Sequence, residues 1–182
     1  MRVKDNLFDL VPSRIGTSSL KWGKYEDSDI IPLWVADMDF RSPPAVLNLA
    51  QGICEEGNFG YGICPQTLTG TVLMRMKDMY SWPINKEWLT WLPGMVCGLN
   101  ISCRALAEQA SQVITNTPVY PPFLTSPGNS GLSCTEVPMV LEEGRFTIDF
   151  NHLRNLQTKK GDLFMFCHPH NPVGTNFTRN EL

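Results

Sequence analysis

The sequence predicts an α/β domain with a largely parallel sheet. Two observations carry that prediction. Short apolar runs of strand length occur at Trp88–Leu92, Gln112–Thr115, Cys134–Val137 and Leu163–Cys167. Around them lie stretches whose apolar residues repeat at helical spacing, and such alternation is the signature of parallel strands joined by helices. In chain order, residues 30–35 (Ile-Ile-Pro-Leu-Trp-Val) read as extended and meet an acidic turn, Ala36-Asp37-Met38-Asp39. Ser42-Pro43 predicts a helix start, with Ser as N-cap and Pro at the first helical position. Ala45, Leu49 and Ile53 follow at helical spacing, and Gly57 is placed to end that helix. Leu68, Val72, Leu73, Met76 and Met79 make a second stripe that stops near Pro83. Leu99, Cys103, Leu106 and Ala107 make a third, and Asp149 is expected to cap a further helix reaching Leu156. Thr178 and Glu181 have the spacing of a capping box, which opens a helix, yet only Leu182 follows. One turn does not nucleate a helix unaided, so the chain is expected to be a piece of a longer protein.

Composition narrows the function classes. The 182 residues correspond to about 1.2 domains at the usual ~150 residues each. Hydrophobic content of 42% with 18% charged residues is that of a globular chain and excludes wholesale disorder. A formal charge of −3 argues against a polyanion-binding surface, so no nucleic-acid partner is expected. Uninterrupted apolar stretches reach only four or five residues, far from the roughly 20 of a membrane span. Residues 1–10 carry Arg2, Lys4, Asp5 and Asp9 and no apolar core, so they do not read as a secretory signal. Six cysteines with no Cys-x-x-Cys pair suit reduced, buried thiols in a cytoplasmic protein.

Four stretches could carry chemistry. Cys167-His168-Pro169-His170-Asn171-Pro172-Val173-Gly174 follows an apolar run, at the strand end where open α/β sheets bind ligands. Its two prolines stiffen the backbone around Asn171, whose amide can then donate to an anionic oxygen; a plain Asn-Pro turn is the simpler alternative. The spacing of Cys167, His168 and His170 matches no standard zinc pattern, so no metal is assigned. Pro93-Gly94-Met95-Val96 is a glycine turn into the third helix, where backbone N–H groups can cradle a phosphate, although ordinary strand-to-helix turns look alike. It has neither a Walker lysine nor a Gly-x-Gly-x-x-Gly fingerprint. Thr117-Pro118-Val119-Tyr120-Pro121-Pro122-Phe123 sets three prolines around one tyrosine, as a packed loop aromatic would also require. In Phe59-Gly60-Tyr61-Gly62 a tyrosine stands between glycines on a loop. An anion cradle, a flat ring and an oriented amide after strands suit a planar, phosphorylated cofactor.

At these residues the chain resembles the class I/II aminotransferase superfamily, the fold-type I enzymes that use pyridoxal 5′-phosphate. Within it the resemblance is to cystathionine β-lyases and cysteine-S-conjugate β-lyases of the MalY/PatB type. It rests on Leu33-Trp34-Val35-Ala36-Asp37-Met38-Asp39-Phe40, Tyr61, Pro93–Val96, Pro118–Phe123, Pro169–Gly174 and the terminal Thr-x-x-Glu-Leu, and so spans nearly the whole chain. The resemblance implies a partial three-layer large domain over 46–182 and an N-terminal segment over 1–45 that contributes to a small domain and the substrate entrance. It implies that Tyr120 stacks on the cofactor ring and that Asn171 donates to its phenolic oxygen. Backbone N–H groups of Met95 and Val96 would hold the phosphate, and Tyr61 would reach a partner subunit's phosphate across a homodimer. Trp34, Ala36 and Asp37 would line the substrate entrance. The implied reaction is β-elimination from a sulfur amino acid such as L-cystathionine, giving a thiol, pyruvate and ammonia. Two departures stand out: the family usually has Asn where His168 stands, and a Gly-Asp turn where Ala110-Ser111-Gln112 stands. The family's Schiff-base lysine, the aspartate facing the pyridine nitrogen and the carboxylate-gripping arginine belong downstream of Asn171. No lysine follows Lys160 here, so no catalytic residue is assigned and this chain alone is expected to be inactive. A transaminase is the alternative within the class. A truncated, non-catalytic product or interaction module is the alternative outside it.

Overall fold

The computed structural model describes residues 7–25 and 27–182, and the chain divides into two compact units at Thr71/Val72. In the first unit, α1 is a single turn, Leu20–Gly23, capped by the Ser19 hydroxyl accepting the Trp22 N–H. Residues 30–35 stay irregular rather than joining a sheet, and the acidic turn after them folds back toward α1. Helix α2 spans Pro44–Glu56, one residue later than Ser42-Pro43 suggests: Pro43 is the N-cap and Pro44 the first helical residue, so no side chain caps the start. Gly57 ends the helix in the left-handed region (φ 66°), where a side chain would be strained. Helix α3, Gln66–Tyr80, matches the second stripe and crosses the boundary between the units.

The second unit carries the sheet. Residues Trp88–Leu92 do not form the expected strand: a 3₁₀ turn covers Lys86–Trp88 and an irregular segment leads to Gly94. Trp88 and Trp91 stay exposed, and among the described residues no strand pairs with this run, so its apolar character does not make it a strand. Helix α4, Met95–Leu106, follows, and β1 is Gln112–Thr117. Val113, Ile114, Thr115 and Asn116 are all buried, the pattern of a central parallel strand covered on both faces. Helix α5, Pro122–Gly128, leads to β2, Ser133–Pro138. A short antiparallel hairpin that the sequence did not announce, β3 (Val140–Glu142) and β4 (Arg145–Thr147), turns through Glu143 and Gly144. Asp149 caps α6, Phe150–Asn155, by accepting the His152 N–H at 2.9 Å, as expected. Strand β5 is only Leu163–Phe164, although the Met165 N–H adds one more ladder bond to the Ile114 carbonyl.

The sheet order is β2-β1-β5, all parallel, with Val113 opposite both Cys134 and Leu163. The short loop between α4 and β1 makes them antiparallel neighbours, so the α4 N-terminus points to the carboxyl edge of the sheet. Leu99 and Cys103 of α4, Val113, Val119, Phe123 of α5, Leu132 and Met165 form the main core cluster. Val119 and Phe123 flank Tyr120 and are both buried, which anchors the tyrosine's loop to that core. Met139, Ile148 and Phe177 form a second cluster beneath the hairpin.

One carboxylate organises the opposite edge. Asp162 accepts from the Ser111 N–H (3.1 Å) and hydroxyl (3.0 Å), the Gln112 amide (2.8 Å) and the Lys159 N–H (2.8 Å). The Gln112 bond, then the backbone donors, hold its pKa far below the usual carboxylate range. Ser111 and Gln112 thus fasten the β1 entry where the family's Gly-Asp turn would stand. Cysteine burial departs from expectation: all six are free thiols, but Cys54, Cys64 and Cys97 are exposed and only Cys103 is buried. The first two lie in the first unit, on α2 and the loop after it, where no residue of α2 is buried.

Only the carboxylate half of the Thr178–Glu181 box forms, and without its helix: the Glu181 N–H donates to the Thr178 carbonyl instead of the hydroxyl. The Thr178 N–H and hydroxyl both donate to Glu181 Oε2, at 2.6 and 2.8 Å, within a turn. Glu181 instead grips β4, its two oxygens facing the Arg145 guanidinium at 2.6 and 3.0 Å. The Arg145 bonds, then the Thr178 donors, lower the Glu181 pKa to about 2 from 4.5. A carboxyl depressed in the folded state contributes stability in full above 4.5 and loses it as pH falls through about 2. Acidification across that window is expected to free residues 178–182 from β4, seen as faster amide exchange there and at 145–147. An E181Q variant that kept the same exchange profile and pH midpoint would refute this.

Candidate functional site

The loops after β1 and β5 meet at the carboxyl edge of the sheet, and each carries one of the expected ligand-facing side chains. Asn171 is exposed, and its backbone N–H is held by Cys167 Sγ at 3.4 Å. No hydrogen bond engages its side-chain amide among the described residues, so that donor is free. Tyr120 is 39% exposed, which leaves a ring face open although both sequence neighbours of its loop, Val119 and Phe123, are buried. Two proline peptides in the Asn171 loop, at 169 and 172, are cis, as is the one at Pro118.

His170 joins the two loops. It is 2% exposed, with Nε2 at 2.9 Å from the Pro118 carbonyl and Nδ1 at 3.1 Å from the Cys167 carbonyl. Its N–H donates to the Thr175 carbonyl and its own carbonyl accepts from the Gly174 N–H, closing the Asn171 loop on itself. Both ring nitrogens face carbonyl oxygens, which only accept, so a neutral imidazole with its single N–H donates to one of the two. Among the described residues, no group of three or more potential ligands could hold a metal ion.

The third component is the start of α4. No side chain caps it, so the first-turn N–H groups of Met95 and Val96 are left for another acceptor. Both residues are exposed, and nothing lies within 4 Å of where a Cβ on Gly94 would stand. An open helix start, a flat exposed ring and a free amide donor at one sheet edge match a planar ring that bears a phosphate and an anionic oxygen. The donor set thus fits pyridoxal 5′-phosphate.

Trp34, Ala36, Asp37 and Tyr61 lie in the first unit. Tyr61 is fully exposed between its glycines. The acidic turn is clasped by groups that sequence reasoning missed. Lys21, 5% exposed, donates to the Asp37 carbonyl at 2.8 Å and to Asp39 Oδ2 at 2.7 Å, while Trp22 Nε1 donates to Asp39 Oδ1 at 2.9 Å. These two donors, Lys21 foremost, lower the Asp39 pKa. Arg14 pairs with the Asp37 carboxylate at 2.7 Å, and its own pKa is raised by that contact. Trp34 Nε1 reaches the Lys21 carbonyl at 3.4 Å, and the Lys24 ammonium lies 4.4 Å from the Trp34 ring centre. The alternating acids at Asp37 and Asp39 were the visible signal; their cationic partners lie 16 to 23 residues earlier in the chain.

Comparison with known proteins places this architecture. A family model described as aminotransferase class I and II matches residues 29–182, and the chain belongs to that family. Among individual relatives, cystathionine β-lyase PatB of Bacillus subtilis is 36% identical over 96% of this chain and 46% of its own length. The crystal structure of OvoB superposes with a TM-score of 0.86 at 38% identity, covering 95% of this chain and 46% of that one. Cystalysin from Treponema denticola, whose structure contains a pyridoxal 5′-phosphate cofactor, gives a TM-score of 0.83 at 32% identity over 93% of this chain and 45% of its own. The chain spans about half the length of the curated relatives it matches.

Proposed function

We propose that this chain supplies the N-terminal cofactor-holding part of a pyridoxal 5′-phosphate-dependent carbon–sulfur β-lyase. The single observation that carries the reading is the joining of the Tyr120 loop to the Asn171 loop through His170 and Pro118; the chain order that directs the uncapped α4 start to the same sheet edge supports it. Similarity to PatB and cystalysin favours a lyase over a transaminase, and the Trp34–Phe40 string carries that preference within the sequence. The expected substrates are L-cystathionine or cysteine S-conjugates, cleaved to a thiol, pyruvate and ammonia by a cytoplasmic homodimer.

Bound pyridoxal 5′-phosphate supplies an electron sink that makes the amino acid's Cα proton acidic. Within this chain, Tyr120 would supply a ring for the cofactor to stack on. The Asn171 amide would donate to the phenolic oxygen and stabilise its anionic form. The Met95 and Val96 N–H groups would hold the phosphate at the positive end of α4. Tyr61 would serve the partner subunit's phosphate. Trp34, Ala36 and Asp37 would line the substrate entrance, with the Lys21–Asp39 clasp holding the acidic turn. None of the seven lysines here, the last of which is Lys160, follows Asn171, where the resemblance places the family's Schiff-base lysine. Elimination therefore needs a lysine from outside these 182 residues, and the chain by itself is expected to be catalytically silent.

The test uses protein purified from its own cells. With L-cystathionine and no oxo-acid acceptor, pyruvate and a free thiol are expected in equal amounts. Product formation only when an oxo acid is added would instead identify a transaminase. No turnover of either kind, with no cofactor absorbance, would favour the non-catalytic alternative.

A further inference from the structure

Among the described residues, no hydrogen bond fixes where the Asn171 amide points. What is fixed is the residue before it. The His170 imidazole is buried and spans the two loops, reaching the Pro118 carbonyl across 52 residues of sequence and the Cys167 carbonyl three residues away. Phe177 of the second core cluster meets the ring edge-on, with centroids 6.1 Å apart, so the imidazole cannot tilt freely. Its main chain is held at both polar atoms by Thr175 and Gly174. The Pro118 carbonyl leads, two residues on, to Tyr120. One imidazole therefore sets the separation between the Asn171 backbone and the Tyr120 backbone.

We infer that His170 is the positioning residue of the cofactor site, acting through its Nε2 contact with Pro118 rather than its local Nδ1 contact with Cys167. The Nδ1 contact stays within the Asn171 loop and would shape that turn even if the Tyr120 loop moved away. The Nε2 contact is the one that ties amide and ring to a common frame. The inference rests on the cofactor reading above.

Amide side chains separate the two contacts. Glutamine at 170 places its nitrogen where Nε2 lies and asparagine places its nitrogen where Nδ1 lies, while leucine keeps neither. The probe is pyridoxine 5′-phosphate, which has the ring, the phenol and the phosphate but no aldehyde to react with surface lysines. Binding to the full chain is measured by calorimetry and by the induced circular dichroism of the ring, neither of which requires turnover. H170Q is expected to bind within about threefold of the unaltered chain and to keep the sign and size of the induced signal. H170N and H170L are expected to bind roughly tenfold more weakly, the loss of about one hydrogen bond's worth of alignment, with a diminished induced signal.

Unfolding midpoints are recorded for all three variants. Equal binding by all three, or equal loss in all three including H170Q, overturns the inference. So does unfolding of all three, which would make His170 a residue of general stability. N171A separates the inference from the reading beneath it. If N171A binds as the unaltered chain does, or if the unaltered chain binds nothing, the cofactor reading itself fails. If N171A weakens binding and the His170 variants do not, only the positioning role fails.

Discussion

Replacing Asn171 with alanine is expected to weaken binding of pyridoxine 5′-phosphate by roughly 10- to 100-fold, with little change in the unfolding midpoint. The magnitude follows from the donor's task. A hydrogen bond to a charged acceptor contributes about 1.5–3 kcal/mol, and each 1.4 kcal/mol is about tenfold in affinity. Stability should be spared because the Asn171 side chain is exposed and engages no other described group, so its removal exposes no core and orphans no partner. Calorimetric titration beside a thermal melt checks both halves. A large fall in the midpoint would mean that the amide serves the fold, and unchanged affinity would remove it from the site.

The second large effect is on stability. Phe123 is 8% exposed, opens α5, and packs in the cluster that joins α4, β1 and the β5 end. Phe123→Ala is expected to cost about 3–5 kcal/mol, the range for a buried phenylalanine whose cavity cannot fully collapse. Against a typical total of roughly 5–15 kcal/mol that is a large share, so partial unfolding at 37 °C is a foreseeable result. Because the same ring anchors the Tyr120 loop, ligand affinity should fall even where the variant remains folded. Urea denaturation followed by tryptophan fluorescence gives the first quantity. A loss below about 1 kcal/mol would show that the site repacks around the deletion.

The acid-induced release of residues 178–182 differs in kind from both. It concerns a half-buried ion pair at the surface, so salt should weaken it, whereas neither the Phe123 nor the Asn171 effect should respond strongly to salt.

Periodicity was enough to locate helices α2, α3 and α4, because an amphipathic stripe is written in residues three and four apart and needs no knowledge of the partner. Gly57 marked a helix end for an equally local reason, since its positive φ is a property of one residue. Strands β1 and β2 were legible as apolar runs, and the placement of Tyr120 and Asn171 after strands followed from chain order alone. Trp88–Leu92 shows the limit of that reasoning. It has the composition of a strand, yet no neighbour pairs with it, and an unpaired run has no ladder to hold it extended. The β3–β4 hairpin shows the converse, three-residue strands too short for alternation to register but paired through Val140–Thr147, Leu141–Phe146 and Glu142–Arg145. Glu181 made its half of the local box and still no helix, its carboxylate being shared with Arg145, 36 residues away. His170 is the sharpest case. Its neighbours in sequence suggest at most a turn or a weak ligand set, and nothing local points to Pro118. Local spacing decides which residues can share a helix face or follow a strand. Which loops meet, and which buried nitrogen finds which carbonyl, depends on the pairing of β1 with β5 across some 50 residues, and that is decided only when the sheet forms.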